Sequence, residues 1–195
     1  MLVAGSACVV LWGPVMDRTN HYETAFEAYL QWHGLGYIAV DETRRALLGD
    51  TPLKSVDFVV FGPGDSRLIV DVKGRRFPGG NSARPRRVWE CWSTLDDVDS
   101  LGRWAQLSGP GYQAVFVFAY HLDPALQVPE DTDDLWTWQG RRYLLRAVAA
   151  ADYQKHMRIR SPRWGTVWLR AQSFRELVKP FYHFTHGSAA VADSR

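Results

Sequence analysis

Residues 54–76 read KSVDFVVFGPGDSRLIVDVKGRR, and this stretch decides the architecture. Two short apolar runs, VDFVV and RLIVDVK, flank FGPGDS, whose glycines and proline mark a turn. The pattern predicts two strands joined as a hairpin. Side chains alternate faces along a strand, so Asp71 and Lys73 point one way while Val70 and Val72 point the other. Asp57 opens the first strand and Asp71 closes the second, so a hairpin brings these ends together. Two carboxylates and an ammonium at one end of a small sheet suit a divalent metal with a charged helper beside it. Phosphodiester cleavage is the chemistry that set fits best. An acid or a lysine at a strand end is also ordinary solvent-facing chemistry, so a third element is needed.

Toward the amino terminus, residues 20–33, NHYETAFEAYLQWH, read as an amphipathic helix. Asn20 is a natural N-cap, and Glu23 follows it at capping-box spacing. Gly34 and Gly36 end the helix before the strand YIAVDE. Glu23 and Glu27 share a helix face one turn apart. Either carboxylate, brought beside Asp57 and Asp71, adds a hard oxygen ligand suited to Mg²⁺ or Mn²⁺ rather than zinc. The backbone carbonyl of Val72 is a further candidate ligand. His21, near the helix start, is a candidate hydrogen-bonding partner for a ligand or a phosphate.

Helix glutamate, strand, Asp57, a thirteen-residue interval and Asp71-Val72-Lys73 together resemble the PD-(D/E)XK, restriction-endonuclease-like nuclease superfamily. Val56-Asp57 stands where that pattern has Pro-Asp. The segment His21-Tyr22-Glu23-Thr24-Ala25-Phe26-Glu27 is similar to the motif of the bacterial HYExAFE family, and the likeness extends from about residue 19 to about 180. The resemblance implies an α/β fold with a central mixed sheet flanked by helices, and metal-dependent cleavage of DNA or, less often, RNA. It implies that Asp57 and Asp71 ligate the metal, that Lys73 assists the nucleophilic water, and that Glu23 or Glu27 is the helix glutamate. The superfamily also holds inactive binding domains, so a catalytically silent nucleic-acid-binding module is one alternative. A hydrolase of a small phosphorylated substrate is another.

Charge placement favours an extended polyanion. The chain carries only +2 overall, yet residues 73–87, KGRRFPGGNSARPRR, hold six cations and no acid. Its Gly, Pro, Asn and Ser content predicts a flexible loop whose Arg75, Arg76, Arg84, Arg86 and Arg87 grip phosphates. A second basic stretch, KHMRIRSPRW, spans residues 155–164. Acids collect at DDVD (96–99) and EDTDD (130–134), segments expected to face away from a phosphate backbone. Nine tryptophans are many for 195 residues, and most are expected in the core. Trp89, directly after the arginines, could stack on a base but is also read as core.

Further strands are expected near 37–42 and 113–120, with a helix over about 93–107 where Leu95, Val98, Leu101, Trp104 and Leu107 repeat at helical spacing. RRYLLRAVAAADYQKHM reads as a strand entering a helix near 150, GTVWLR as a short strand and SFRELVKPF as a short helix. One domain over residues 19–185 is the expectation for this length. Residues 1–18 read as a flexible or mis-annotated extension and 186–195 as a disordered tail. Two cysteines support neither a disulfide framework nor a cysteine-based zinc site. A cytoplasmic protein without a membrane segment is the expectation. The partner expected is nucleic acid, DNA ahead of RNA, with a homodimer as an option for double-strand cutting.

Overall fold

A computed structural model describes residues 20–40, 46–48, 51–81 and 84–186. The expected extension and all but the first residue of the expected tail lie outside that range. In chain order the first part comprises α1 (His21–Trp32), β1 (Gly36–Ala39), β2 (Ala46–Leu48), β3 (Thr51–Leu53), β4 (Phe58–Phe61) and β5 (Arg67–Phe77). The middle comprises β6 (Gly79–Asn81), β7 (Arg84–Arg86), β8 (Ser93–Thr94), α2 (Leu95–Ser108), β9 (Tyr112–Leu122), β10 (Leu135–Trp138) and β11 (Arg141–Ala149). The last part comprises α3 (Ala150–His156), β12 (Arg158–Ser161), a 3₁₀ turn (Pro162–Trp164), β13 (Thr166–Trp168), α4 (Ala171–Leu177), β14 (Lys179–Pro180) and α5 (Phe181–His186).

The main sheet runs β1-β4-β5-β9-β11-β10, with β14 sharing the outer edge of β11. β5 and β9 pair in parallel, and every other neighbour in this sheet is antiparallel. The molecule is therefore α/β with a mixed central sheet. β4 and β5 form the expected hairpin, with Phe58 opposite Val70. Its turn places Gly64 (φ +66°) and Asp65 (φ +64°) in the left-handed region, where glycine and aspartate are among the least strained residues.

β9 is covered on both faces, which is why VFVFAY is apolar without alternation. One face carries α1 and α5: Phe26, Tyr29, Leu30 and Phe181 pack on Val70, Val72, Val115 and Val117. The other carries α2, α3 and α4, through Val98, Leu101, Tyr153 and Phe174 on Phe116 and Phe118. Phe26 meets the Phe58 and Phe181 rings edge-on with centroids 5.3 and 5.0 Å apart, and truncating it to Ala would cost about 3–5 kcal/mol. Asn20 caps α1 by accepting the Tyr22 N–H at 3.1 Å. Among the described residues no helix is long and apolar enough to cross a membrane.

The described residues of 73–87 do not form the flexible loop expected from their composition. β5 continues through Phe77 because β9 runs alongside it to the Phe77–Leu122 pair, and the ladder outweighs the local turn signals. Beyond it, β6 and β7 close a small hairpin. The segment 158–161, RIRS, is also a strand, β12, joined to β13 and β8 in a separate three-stranded sheet.

Candidate active site

Asp71 and Lys73 stand on the α2-facing side of β5, while the Val70 and Val72 side chains face α1. β4 ends its pairing with β5 at Phe58–Val70, so the next outward-facing backbone group of β5 belongs to Val72. The side chain of Asp57 takes that place: its Oδ2 accepts the Val72 N–H at 2.5 Å. The Asp57 N–H donates to the Val70 carbonyl at 3.0 Å, which fixes the residue at the divergence of the two strands. In an antiparallel strand a residue's N–H and C=O leave on the same side, so the Val72 carbonyl faces the same gap.

A cleft of about 470 Å³ opens there, lined by Asp57, Asp71, Val72 and Lys73. Glu23 and Asn20 reach it from the start of α1, Lys54 and Ser55 from the chain before β4, and Asp96 and Asp97 from the start of α2. The Asn20 side-chain amide donates to the Glu23 carboxylate, so the cap also orients that acid. The position of α1 against β5 depends on Gly74, where a Cβ would collide with the Tyr22 ring at Cδ2 and Cγ. Glu27, one turn on, is not among the lining residues, and its carboxylate accepts from the Tyr37 hydroxyl at 2.9 Å.

The Lys73 ammonium lies 2.7 Å from Asp71 Oδ1 and 3.1 Å from Asp97 Oδ2. Lys54 binds the other oxygen of Asp97. Burial alone would lower the Lys73 pKa, but the attraction of Asp71, Asp97 and Asp57 outweighs it and leaves the pKa above the ordinary lysine value. Lys73 is therefore an ammonium at neutral pH. Burial raises the Asp71 pKa, and Lys73 offsets only part of that shift. Burial pushes Asp97 the same way, yet Lys73, Lys54 and the Thr94 hydrogen bonds overcome it and hold this acid well below the ordinary carboxylate value.

Asp97 lines the cleft although DDVD was not expected to face a phosphate backbone. Its signal was Thr94-x-x-Asp97: Thr94 Oγ1 accepts the Asp97 N–H at 3.1 Å, and Asp97 Oδ2 accepts the Thr94 N–H at 3.1 Å. Ser93 also donates to Asp97, at 3.0 Å. A capping box thus carries the helix acid to Lys73.

The expected phosphate-gripping residues scatter. Arg75 is half-buried, with its guanidinium 4.0 Å from the Trp92 ring centroid and donating to the Gly74 carbonyl at 2.7 Å. Arg76 pairs with Asp123 at 3.4 Å and Arg86 with Glu90 at 3.1 Å, both at exposed positions. Arg84 and Arg87 are exposed at the second hairpin. His21 faces Tyr143, 3.0 Å from its hydroxyl, rather than the cleft. Burial and Arg141 lower its pKa, which keeps the ring neutral near neutral pH. Trp89 lies flat on Phe77 with centroids 3.6 Å apart.

No family model matches the chain, and no curated protein matches it. Among solved structures the chain is similar to Hjc of Archaeoglobus fulgidus, a Holliday junction resolvase from an archaeal hyperthermophile. The two are 17% identical over 80% of this chain and 91% of that one, with a TM-score of 0.44.

The donors fit a hard divalent cation by type: Asp57, Asp71 and Glu23 carboxylates and the Val72 carbonyl, all on one cleft. Among the described residues no three His, Cys, Asp or Glu side chains already form a metal cage. Lys73 bonds both oxygens of Asp71, at 2.7 and 2.9 Å, so a cation there would share that carboxylate with the ammonium.

Proposed function

We propose that the chain is a metal-dependent phosphodiester hydrolase of the PD-(D/E)XK kind acting on nucleic acid, DNA ahead of RNA. The observation that carries this reading is the convergence of Asp57, Asp71 and Glu23, from three separate segments, on one cleft with Lys73. Asp57, Asp71, Glu23 and the Val72 carbonyl would hold the ion, Mg²⁺ or Mn²⁺. When bound, that ion would acidify a water and polarise the scissile phosphate.

The chain's own groups do the rest. Lys73, being an ammonium, cannot take the proton from water. It can donate hydrogen bonds to a non-bridging phosphate oxygen and stabilise charge that develops during attack. Asp97 fixes that ammonium from the side opposite the sheet. Lys54, half-exposed at the cleft rim, presents positive charge to a neighbouring phosphate. Exposed Arg84, Arg86 and Arg87 supply further sequence-independent attraction for the backbone.

One observation favours a second reading, a catalytically silent binding module. Lys73 already pairs with both Asp71 and Asp97, so the ammonium competes for the carboxylate an ion would take. Cleavage of labelled single-stranded, duplex and branched DNA and of RNA, with Mg²⁺ or Mn²⁺, separates the two. The hydrolase reading expects metal-dependent cleavage that disappears in both Asp71→Asn and Lys73→Ala. Binding without cleavage of any substrate, insensitive to either substitution, would establish the silent module instead.

A further inference from the structure

A second concavity, of about 620 Å³, lies on the three-stranded sheet and is lined by Trp92, Arg160, Ser161, Trp164 and Thr166. Nothing in the proposed chemistry uses it. Trp164 is 70% exposed although an indole is among the costliest side chains to leave in water. It sits on a stiff support. Pro162 opens the 3₁₀ turn that carries it, Gly165 closes that turn at φ +55°, and the Gly165 carbonyl accepts the Leu95 N–H at 2.8 Å.

The stretch that carries Trp164 is basic, and the acid beside the groove is Glu90, which accepts the Trp92 indole N–H at 3.3 Å. Between Asp152 and Glu176 the chain has no acid, while Arg158, Arg160, Arg163 and Arg170 are all exposed. Arg160 lies 5.1 Å from the Trp92 ring centroid and Arg163 lies 5.3 Å from that of Trp164. With Arg75 also against Trp92, that ring has cation partners already, and Trp164 is the more exposed platform. The half-buried Ser161 hydroxyl can donate and accept on the same surface, with the buried Thr166 beneath it.

One strand pairing links this concavity to the cleft. Thr166 pairs with Thr94, the residue that caps α2 and bonds Asp97. We infer that this groove is a subsite for an unpaired nucleobase and its flanking phosphates, one strand away from the cleft. A flat exposed indole offers a stacking face to any base, and the arginines neutralise the phosphates on either side. A duplex keeps its base faces stacked on one another, so the groove selects substrates with a single-stranded segment beside the scissile bond. The placement of a scissile bond rests on the hydrolase reading; the binding of an unpaired base does not.

The test measures binding of a fluorescein-labelled oligodeoxythymidine and of a duplex of equal length, with Ca²⁺ in place of Mg²⁺, for the wild type, Trp164→Ala, Trp164→Phe and Arg160→Gln. The expected result is single-strand binding weakened about ten-fold by Trp164→Ala, largely restored in Trp164→Phe, with duplex binding little changed. Arg160→Gln should weaken single-strand binding and flatten its salt dependence. Unchanged single-strand affinity in Trp164→Ala, or equal loss for both ligands, overturns the subsite. Selective loss in Trp164→Ala, in a wild type that cleaves nothing under Mg²⁺, supports the subsite and removes the hydrolase.

Discussion

The middle of β5 and the start of α2 present buried aspartates to the same ammonium, and they hold their charge in opposite ways. Asp71 is buried on the cleft side of the sheet, and its negative charge is answered chiefly by Lys73. Asp97 has Lys73, Lys54, the Thr94 N–H and the Ser93 hydroxyl. Burial raises the first pKa, whereas the partners of the second more than reverse the same burial. A carboxylate with a full set of donors is a fixed anion that serves structure. A carboxylate short of compensating charge is the one that gains most from an added cation. Under the proposed hydrolase function, the difference makes Asp71 the candidate ion ligand and Asp97 its support.

The sharpest way to break this division is to neutralise each acid in turn. Asp71→Asn should lower metal-dependent cleavage by at least about 100-fold while leaving the thermal midpoint little changed, because relief of a poorly compensated buried charge offsets the partner that Lys73 loses. Asp97→Asn should do the reverse in emphasis, costing about 3 kcal/mol in denaturant unfolding because Lys73, Lys54, the Ser93 hydroxyl and the Thr94 N–H all lose the charge they converge on. Equal stability losses in both variants would sink the distinction.

Acid titration of stability sharpens it further. The folded pKa of Asp97 lies below the ordinary 3.8, so its contribution is full above that value and is lost as pH falls toward the folded value. The folded pKa of Asp71 lies above 3.8, so its ionisation subtracts stability as pH rises past that point. Urea midpoints between pH 2 and 6, measured on both Asn variants, should therefore show a flatter acid limb for Asp97→Asn and a steeper one for Asp71→Asn. The smallest effect expected is from Lys54→Ala. Its side chain is half-exposed, so the pair with Asp97 should be worth less than about 1 kcal/mol and vanish in high salt.

Much of this arrangement was legible in the chain before folding. The β4–β5 hairpin, α1 with its Asn20 cap and the apolar β9 are local patterns; strand parity put Asp71 beside Lys73, and the hairpin brought Asp57 to them. Choosing Glu23 rather than Glu27 for the cleft needed the docking of α1 on the sheet, because helical spacing alone makes the two equivalent. Asp97 was missed because an acid run reads as solvated surface, while its partners Lys54 and Lys73 lie far away in sequence. The arginine stretch was misread for a related reason. Its glycines and prolines argue for a loop, and only the parallel pairing with β9 keeps Arg75 and Arg76 in a strand.

Gly74 is the smallest residue near the site and sets one of its dimensions. With hydrogen where a side chain would be, the strand lets the Tyr22 ring rest on its backbone, and Glu23 follows one residue later. A methyl group there would act as a shim between helix and strand, moving one jaw of the cleft without touching any acid in it. The span across which a ligand must be grasped is thus gauged by an atom the chain omits, and the same calibration could be altered to fit a larger or smaller guest.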